Sequence, residues 1–505
     1  MLTRLRATAA VAVVAGLLGP VGAAGAAPEE DILDQLKRIP GLTVLSEGPP
    51  PTPDHRYFVL GYTQPVDHRQ PHGATFQQRF QLVHKSADRP MILHTTGYNL
   101  YPTSFRSEPT QLVDGNQISV EHRFFPPSQP EPANWDNLTV WQAATDHHRL
   151  VAALKPLYPK KWLSSGASKG GMASIYHSRF YPLDVDGVVA YVAPNDHIND
   201  EDSAYDRFFA TVGTDACRAA LADLQVEAFK RRPELVALLT EYAAKYGWTY
   251  DKIVGSVDKA FEKSAMMLGW AFWQYFGQTE CGKVPATSVT TEQIYEYINA
   301  TVNFGSFADQ NLGQMTPYYF HAMTELGWPQ PQFAHLRGYL KYPDSSTVYS
   351  NVPGELHRPH RPGPMLDMDQ WVRTQSQRIL FINGQNDPWG AERFTPSQHD
   401  SHSYTAPGAT HGARISSSPA ATASRRPTLC GAGPTSGSSQ RASSPRSTRT
   451  SWTSFERRFR SDPSLLVGAF LPRPESTHEA VFLALGGVSQ DKQSVTTRRN
   501  VVTNI

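Results

Sequence analysis

Gly166-Ala167-Ser168-Lys169-Gly170 restricts the fold more than any other stretch of this chain. The five residues follow Lys161-Trp162-Leu163-Ser164-Ser165, a short strand pattern, and precede a helical segment that starts near Gly171. A serine held at so sharp a strand-to-helix turn needs small neighbours, and Gly166 and Gly170 remove the side chains that would collide there. Such a turn projects its hydroxyl above a sheet edge, so a mostly parallel sheet flanked by helices is expected. A phosphate-binding loop is excluded, because neither G-x-x-x-x-G-K-[ST] nor G-x-G-x-x-G is completed.

The remaining patterns agree. Tyr57-Phe58-Val59-Leu60, Thr75 to Val83, Met91 to His94 and Gln117 to Glu121 read as strands bounded by Pro, Gly and Asp. Asp186 to Val192 and Arg378 to Ile382 are apolar runs of the buried, parallel kind. Thr139 to Leu157 repeats at a helical period, and Asp31 to Ile39 is a short helix candidate ahead of a Pro-rich connector. From 197 to 342 strand signals are scarce. There Ala219 to Tyr246, Asp258 to Phe276 and Glu292 to Asn303 carry i, i+3, i+4 apolar spacing. The fold class predicted is therefore the α/β-hydrolase fold. Its core spans 28–196 and 343–415, with a helical cap inserted over 197–342. A chain of 505 residues has room for such an insertion.

Serine is a poor nucleophile until a base removes its proton, and the base needs a carboxylate to orient it. In this fold the chain order is serine, acid, histidine. Gly384-Gln385-Asn386-Asp387-Pro388-Trp389 follows an apolar strand, and Gly408-Ala409-Thr410-His411-Gly412 lies shortly beyond it. Ser168, Asp387 and His411 are the candidate triad. The oxyanion hole is expected from the backbone N–H of Lys169 and a second N–H, from Gly97 or Tyr98, in the turn Thr96-Gly97-Tyr98. No Cys/His spacing resembles a zinc site, and no metal or other cofactor is expected.

Lys and Arg number 47 against 46 Asp and Glu, so no global field invites a nucleic-acid partner. Residues 1–27 carry Arg4 and Arg6, an apolar run from Ala7 to Leu18, and Ala24-Gly25-Ala26-Ala27. That is the layout of a secretory signal peptide, too short to span a bilayer. No later stretch is apolar enough to span, so a secreted, extracellular monomer with no membrane association is expected. Export permits disulfides. Cys217 and Cys281 flank a helical region and are the expected bridge, with Cys430 unpaired. From Arg414 to about Phe455 the chain turns abruptly to Ser, Thr, Arg, Pro, Ala and Gly, without one acidic residue or lysine. Such a segment cannot bury enough apolar surface to offset its ordering entropy. Residues 416–505 are read as a low-complexity tail, either out of frame after about Ile415 or a native Ser/Arg-rich extension.

Several longer motifs carry a resemblance. They are Glu121-His122-Arg123-Phe124-Phe125, Trp141 to Arg149, Ser165 to Met172 and Tyr191-Val192-Ala193-Pro194-Asn195-Asp196. Together they resemble the secreted tripeptidyl and prolyl-tripeptidyl aminopeptidases of filamentous actinobacteria, from about Asp31 to Arg414. The resemblance implies peptide substrates, with tripeptides released from free amino termini, often after proline, by a serine peptidase. It also implies that the triad is Ser168, Asp387 and His411. An exopeptidase has to hold the substrate ammonium, and carboxylates do this through charge-assisted hydrogen bonds. Glu201, within Asp200-Glu201-Asp202, and Glu121 are the candidate anchors. Trp270, Phe272, Trp273, Tyr275 and Phe276 supply aromatics for a proline pocket or for the cap core. A secreted esterase or lipase with the same triad, and an inactive copy spoiled by its tail, are the alternative readings.

Overall fold

The computed structural model describes residues 30–101, 103–196 and 202–417. Its nine strands are β1 (Leu42–Gly48), β2 (Arg56–Pro65), β3 (Thr75–His84), β4 (Met91–Thr95), β5 (Asn116–Val120), β6 (Trp162–Ala167), β7 (Gly187–Tyr191), β8 (Ile379–Gly384) and β9 (His402–Ala406). They form one sheet in the order β1-β2-β3-β5-β4-β6-β7-β8-β9. β1, β2 and β3 pair antiparallel, as do β3 and β5, while every pairing from β5 through β9 is parallel. This is the α/β-hydrolase fold.

The parallel half is covered on both faces, which is why its strands read as apolar runs. On one face Leu93, Ile118, Trp162, Val188 and Phe381 pack against helices Val140–Leu154, Lys169–Phe180 and Gly363–Thr374. On the other, Val189, Tyr191, Leu380 and Ile382 form a smaller cluster with Ala406 and Ala413. Between β7 and β8 the chain leaves the sheet and builds a helical cap. Leu224, Leu239, Phe261, Ile298 and Leu312 form its own buried core. Cys217 and Cys281 are joined, tying helix Asp215–Lys230 to the turn Gln278–Lys283. Among the described residues, no helix is long and apolar enough to cross a membrane.

Two strands escape a reading by pattern. β1 lies inside the Pro-rich connector and β9 follows Asp387. Both are edge strands with only one buried position each, so neither shows the buried periodicity of an inner strand. The stretch from Ala219 to Tyr246, expected as one helical region, is two helices that meet at Arg231. Pro233 sits in the first turn of the second, where its missing N–H does no harm; within a continuous helix it would break the ladder.

Candidate active site

Ser168 joins β6 to helix Lys169–Phe180 with φ 56° and ψ −129°. A side chain rarely tolerates this conformation unless its surroundings impose it. Here Ser168 N–H donates to the Tyr191 carbonyl at 2.9 Å, and the Ser168 carbonyl accepts from Met172 N–H at 3.1 Å. The flanking glycines are required by contact: a Cβ on Gly166 would lie 2.4 Å from Gly170, and one on Gly170 2.3 Å from the Thr95 carbonyl oxygen. The helix therefore starts directly at Lys169, not at Gly171.

Asp387 leaves the carboxyl end of β8 and is fully buried. Its Oδ2 accepts from His411 Nδ1 at 2.8 Å, and its Oδ1 accepts from Trp389 N–H at 3.2 Å. A proton held on Nδ1 leaves Nε2 with its lone pair, the form a general base needs. The histidine loop is fixed at two points. Asn386 N–H donates to the Ala409 carbonyl at 2.8 Å, and His411 N–H donates to the Gln274 carbonyl at 3.0 Å. Gln274 belongs to the turn Phe272–Phe276, so the cap braces the loop that carries the base. Among the described residues no hydrogen bond joins Ser168 Oγ to His411. The serine side chain faces the Tyr98 hydroxyl.

Of the two backbone donors expected from this turn, that of Tyr98 is already engaged. Its own N–H is directed to Thr96 Oγ1 at 3.2 Å, inside the turn. Its hydroxyl, instead, meets both the Ser168 side chain and the Lys169 backbone N–H. Burial pushes the hydroxyl up to about 12, so it stays a proton donor across the physiological range. Gly97, at φ +75°, lets the turn lie flat on the elbow: a Cβ there would be 2.5 Å from Gly170 N.

The Lys169 side chain is a functional feature that sequence reasoning missed. It is 1 % exposed, and its Nζ donates to the Gly97 carbonyl at 2.7 Å. The ammonium also lies over the rings of Tyr98 and Phe125, at 5.7 and 5.5 Å. Desolvation holds it well below the ordinary lysine range. Lys169 thus ties the tyrosine turn to the residue after the nucleophile. In sequence a lysine inside G-x-S-x-G looks like any exposed lysine, and no signal there predicts its burial.

Glu121 is not an anchor. Its Oε1 accepts from Leu100 N–H at 2.8 Å and from Arg79 Nη2 at 2.5 Å, and its Oε2 accepts from Ser128 Oγ at 2.6 Å. With both oxygens occupied and no exposure, it holds the loop around Leu100 to the sheet. Arg123 is equally structural, bidentate on Asp146 at 2.7 and 2.8 Å. Glu201 and Cys430 lie outside the described residues. Of the cap aromatics, Phe272 and Trp273 pack around the disulfide, whereas Trp270 turns to Trp389, with ring centres 5.0 Å apart.

A family model described as PS-10 peptidase S37 matches residues 26–458. The chain belongs to that family. It is a peptidase on an α/β-hydrolase scaffold. The match continues past Arg414, where the resemblance was expected to stop. A prolyl tri/tetrapeptidyl aminopeptidase of Streptomyces mobaraensis is 49% identical over 394 residues, which cover 77% of this chain and 82% of that protein. Solved structures with similarity include a proline iminopeptidase of Mycobacterium smegmatis (14% identity, 72% of this chain and 91% of that one, TM-score 0.30). A carboxyl esterase of Tuber melanosporum is another (12%, 75% and 86%, TM-score 0.31). At these scores the strand order is the better statement of the fold.

Proposed function

We propose that this S37 peptidase is an exported aminopeptidase that removes tripeptides, including those ending in proline, from free amino termini. Ser168 forms the acyl-enzyme, His411 oriented by Asp387 moves the proton, and the Lys169 N–H with the Tyr98 hydroxyl receives the oxyanion. The observation that carries the chemistry is the elbow itself, where a strained serine lies against two convergent donors under a cap. The peptide class is supported by the half-identical relative, which is named for release of prolyl tri- and tetrapeptides. Export is supported by the signal-like residues 1–27 and by the Cys217–Cys281 bridge, which suits an oxidising compartment.

In the decisive assay the purified mature protein and its Ser168→Ala variant are given three chromogenic substrates. These are a free tripeptide ending in proline, its N-acetyl form and a short acyl ester. The reading expects turnover of the free peptide well above the other two, and none by the variant. Preference for the ester, or equal rates on the free and acetylated peptides, refutes it. Sequencing the amino terminus of the exported protein checks the signal: a start near Pro28 is expected, and retention of residues 1–27 opposes export.

A further inference from the structure

Just beyond β7 the chain turns through Val192 at φ 43°, and Pro194 forms an isolated bridge with Arg393 from the segment between β8 and β9. Asp196 follows, pressed against the end of the cap so tightly that a Cβ on Gly327 would lie 1.9 Å from the Asp196 carbonyl oxygen. Its side chain is set between core and cap, only 3 % exposed, and its Oδ2 has no hydrogen-bond partner. Two further buried polar atoms nearby are in the same position: the hydroxyl of Tyr205, which is fully buried, and Trp389 Nε1. Three elements thus offer unused hydrogen-bonding atoms, where buried polar groups are ordinarily satisfied.

Among the described residues, the charges that act on Asp196 are all of one sign. Asp202 and Glu392 act on it, both disfavouring its ionised form, and the hydroxyls of Tyr205 and Tyr318 feel its charge in turn. Among the described residues no cation opposes this group. Burial first and the two carboxylates second push Asp196 up to about 8. A carboxyl kept dry beside like charges, with unused donors and acceptors around it, is matched to a cation brought from outside.

The place is connected to the nucleophile by aromatic rings. Tyr98, whose hydroxyl meets Ser168, is 5.4 Å from Tyr318, which is 6.3 Å from Trp328. Trp328 is 5.9 Å from Trp389, Trp389 is 5.0 Å from Trp270, and Trp270 is 5.6 Å from Tyr205. This unbroken chain of touching rings leads from the reacting serine to the carboxylates along the junction of core and cap. Flat apolar walls suit short peptides and proline rings, and leave the charged end to be recognised at one point.

We propose that Asp196, with the negative field of Asp202 and Glu392 behind it, receives the α-ammonium of the substrate. The aromatic wall between Asp196 and Ser168 then measures the length of peptide released. This deepens the aminopeptidase reading and rests on it.

The test compares wild type, Asp196→Asn and Glu392→Gln on the free tripeptide substrate and on its N-acetyl form. Asparagine keeps the shape and removes the charge. For Asp196→Asn, kcat/KM on the free peptide is expected to fall about a hundredfold or more, with less than a threefold change on the acetylated one. Glu392→Gln should give a smaller loss with the same selectivity, because its charge acts through Asp196. Thermal unfolding of each variant confirms that it folds. If wild type favours the free peptide strongly but Asp196→Asn lowers both substrates equally, or neither, the anchor is overturned and the aminopeptidase reading survives. If wild type treats the two alike, that reading itself fails. Should Asp196→Asn not fold, loss of the free-over-acetyl preference in Glu392→Gln supports the site, and an unchanged preference overturns it.

Discussion

Replacing Tyr98 with phenylalanine removes one hydroxyl and nothing else. The ring stays packed by Phe125, 6.1 Å away, Tyr318 at 5.4 Å and the Lys169 ammonium at 5.7 Å. In the free enzyme the Lys169 N–H and the hydroxyl satisfy each other beside Ser168. In the tetrahedral intermediate both are to turn to the oxyanion. Losing one preorganised donor typically costs about 3–4 kcal/mol of transition-state stabilisation, or on the order of 10²–10³ in kcat. KM should barely move, since the charge exists only in the transition state. The loss should be the same on free peptide, acetylated peptide and ester, because all three pass through an oxyanion. It should not vary with pH, because a hydroxyl pushed up to about 12 is protonated throughout the assay range. Stability should fall by only about 1 kcal/mol, for one lost buried hydrogen bond. Steady-state kinetics on the three substrates with a melting curve suffices. A loss below tenfold in kcat, or a loss in KM alone, refutes the hydroxyl as an oxyanion donor.

Asp387→Asn should lower kcat on the order of 10⁴-fold, since an amide favours the wrong tautomer of His411; a loss below tenfold means another group orients the base. Replacing Cys217 and Cys281 by serine should cost about 4 kcal/mol for a loop of this length, read as a lower denaturation midpoint, while the variant keeps the same substrate preference. Asp196→Asn should stabilise the fold increasingly with pH. The native carboxyl titrates near 8 against an ordinary value of 3.8, so wild type loses up to about 5 kcal/mol as pH rises from about 4 to 8 and asparagine does not. Melting temperatures of both proteins across that range check it, and a constant difference refutes the burial argument.

The elbow was legible because its chemistry is local. A serine at positive φ beside backbone 2.3–2.4 Å from any added Cβ admits only glycine at two fixed positions, and that requirement is written in five consecutive residues. The inner strands were legible for a similar reason, being apolar throughout because both faces are covered. β1 and β9 were not: an edge strand buries little, so its composition is free to look like a loop. Likewise the cap's helical stretches showed their period, yet the break at Arg231 depended on where one proline fell within a turn.

Groups whose roles depend on distant neighbours were not legible. Glu121 reads as a free acid until Arg79, Ser128 and the Leu100 amide close around it. Lys169 reads as a surface cation until the Gly97 carbonyl and two rings enclose it. Tyr98 was singled out for its N–H, while the contact of its hydroxyl with Ser168 stayed hidden, since a side chain's direction depends on what packs beside it. Asp196 sits in a motif that carried no assigned role, because its character comes from Asp202, Glu392 and Tyr205 on other segments. The sequence by itself determined the order of strand, nucleophile, acid and base, since steric demands and chain order act between near neighbours. Only the tertiary structure decided which charges are buried, which are paired and which are left waiting for a substrate. Desolvation and Coulomb energy depend on distances through space, and those distances exist only once the cap has closed on the sheet.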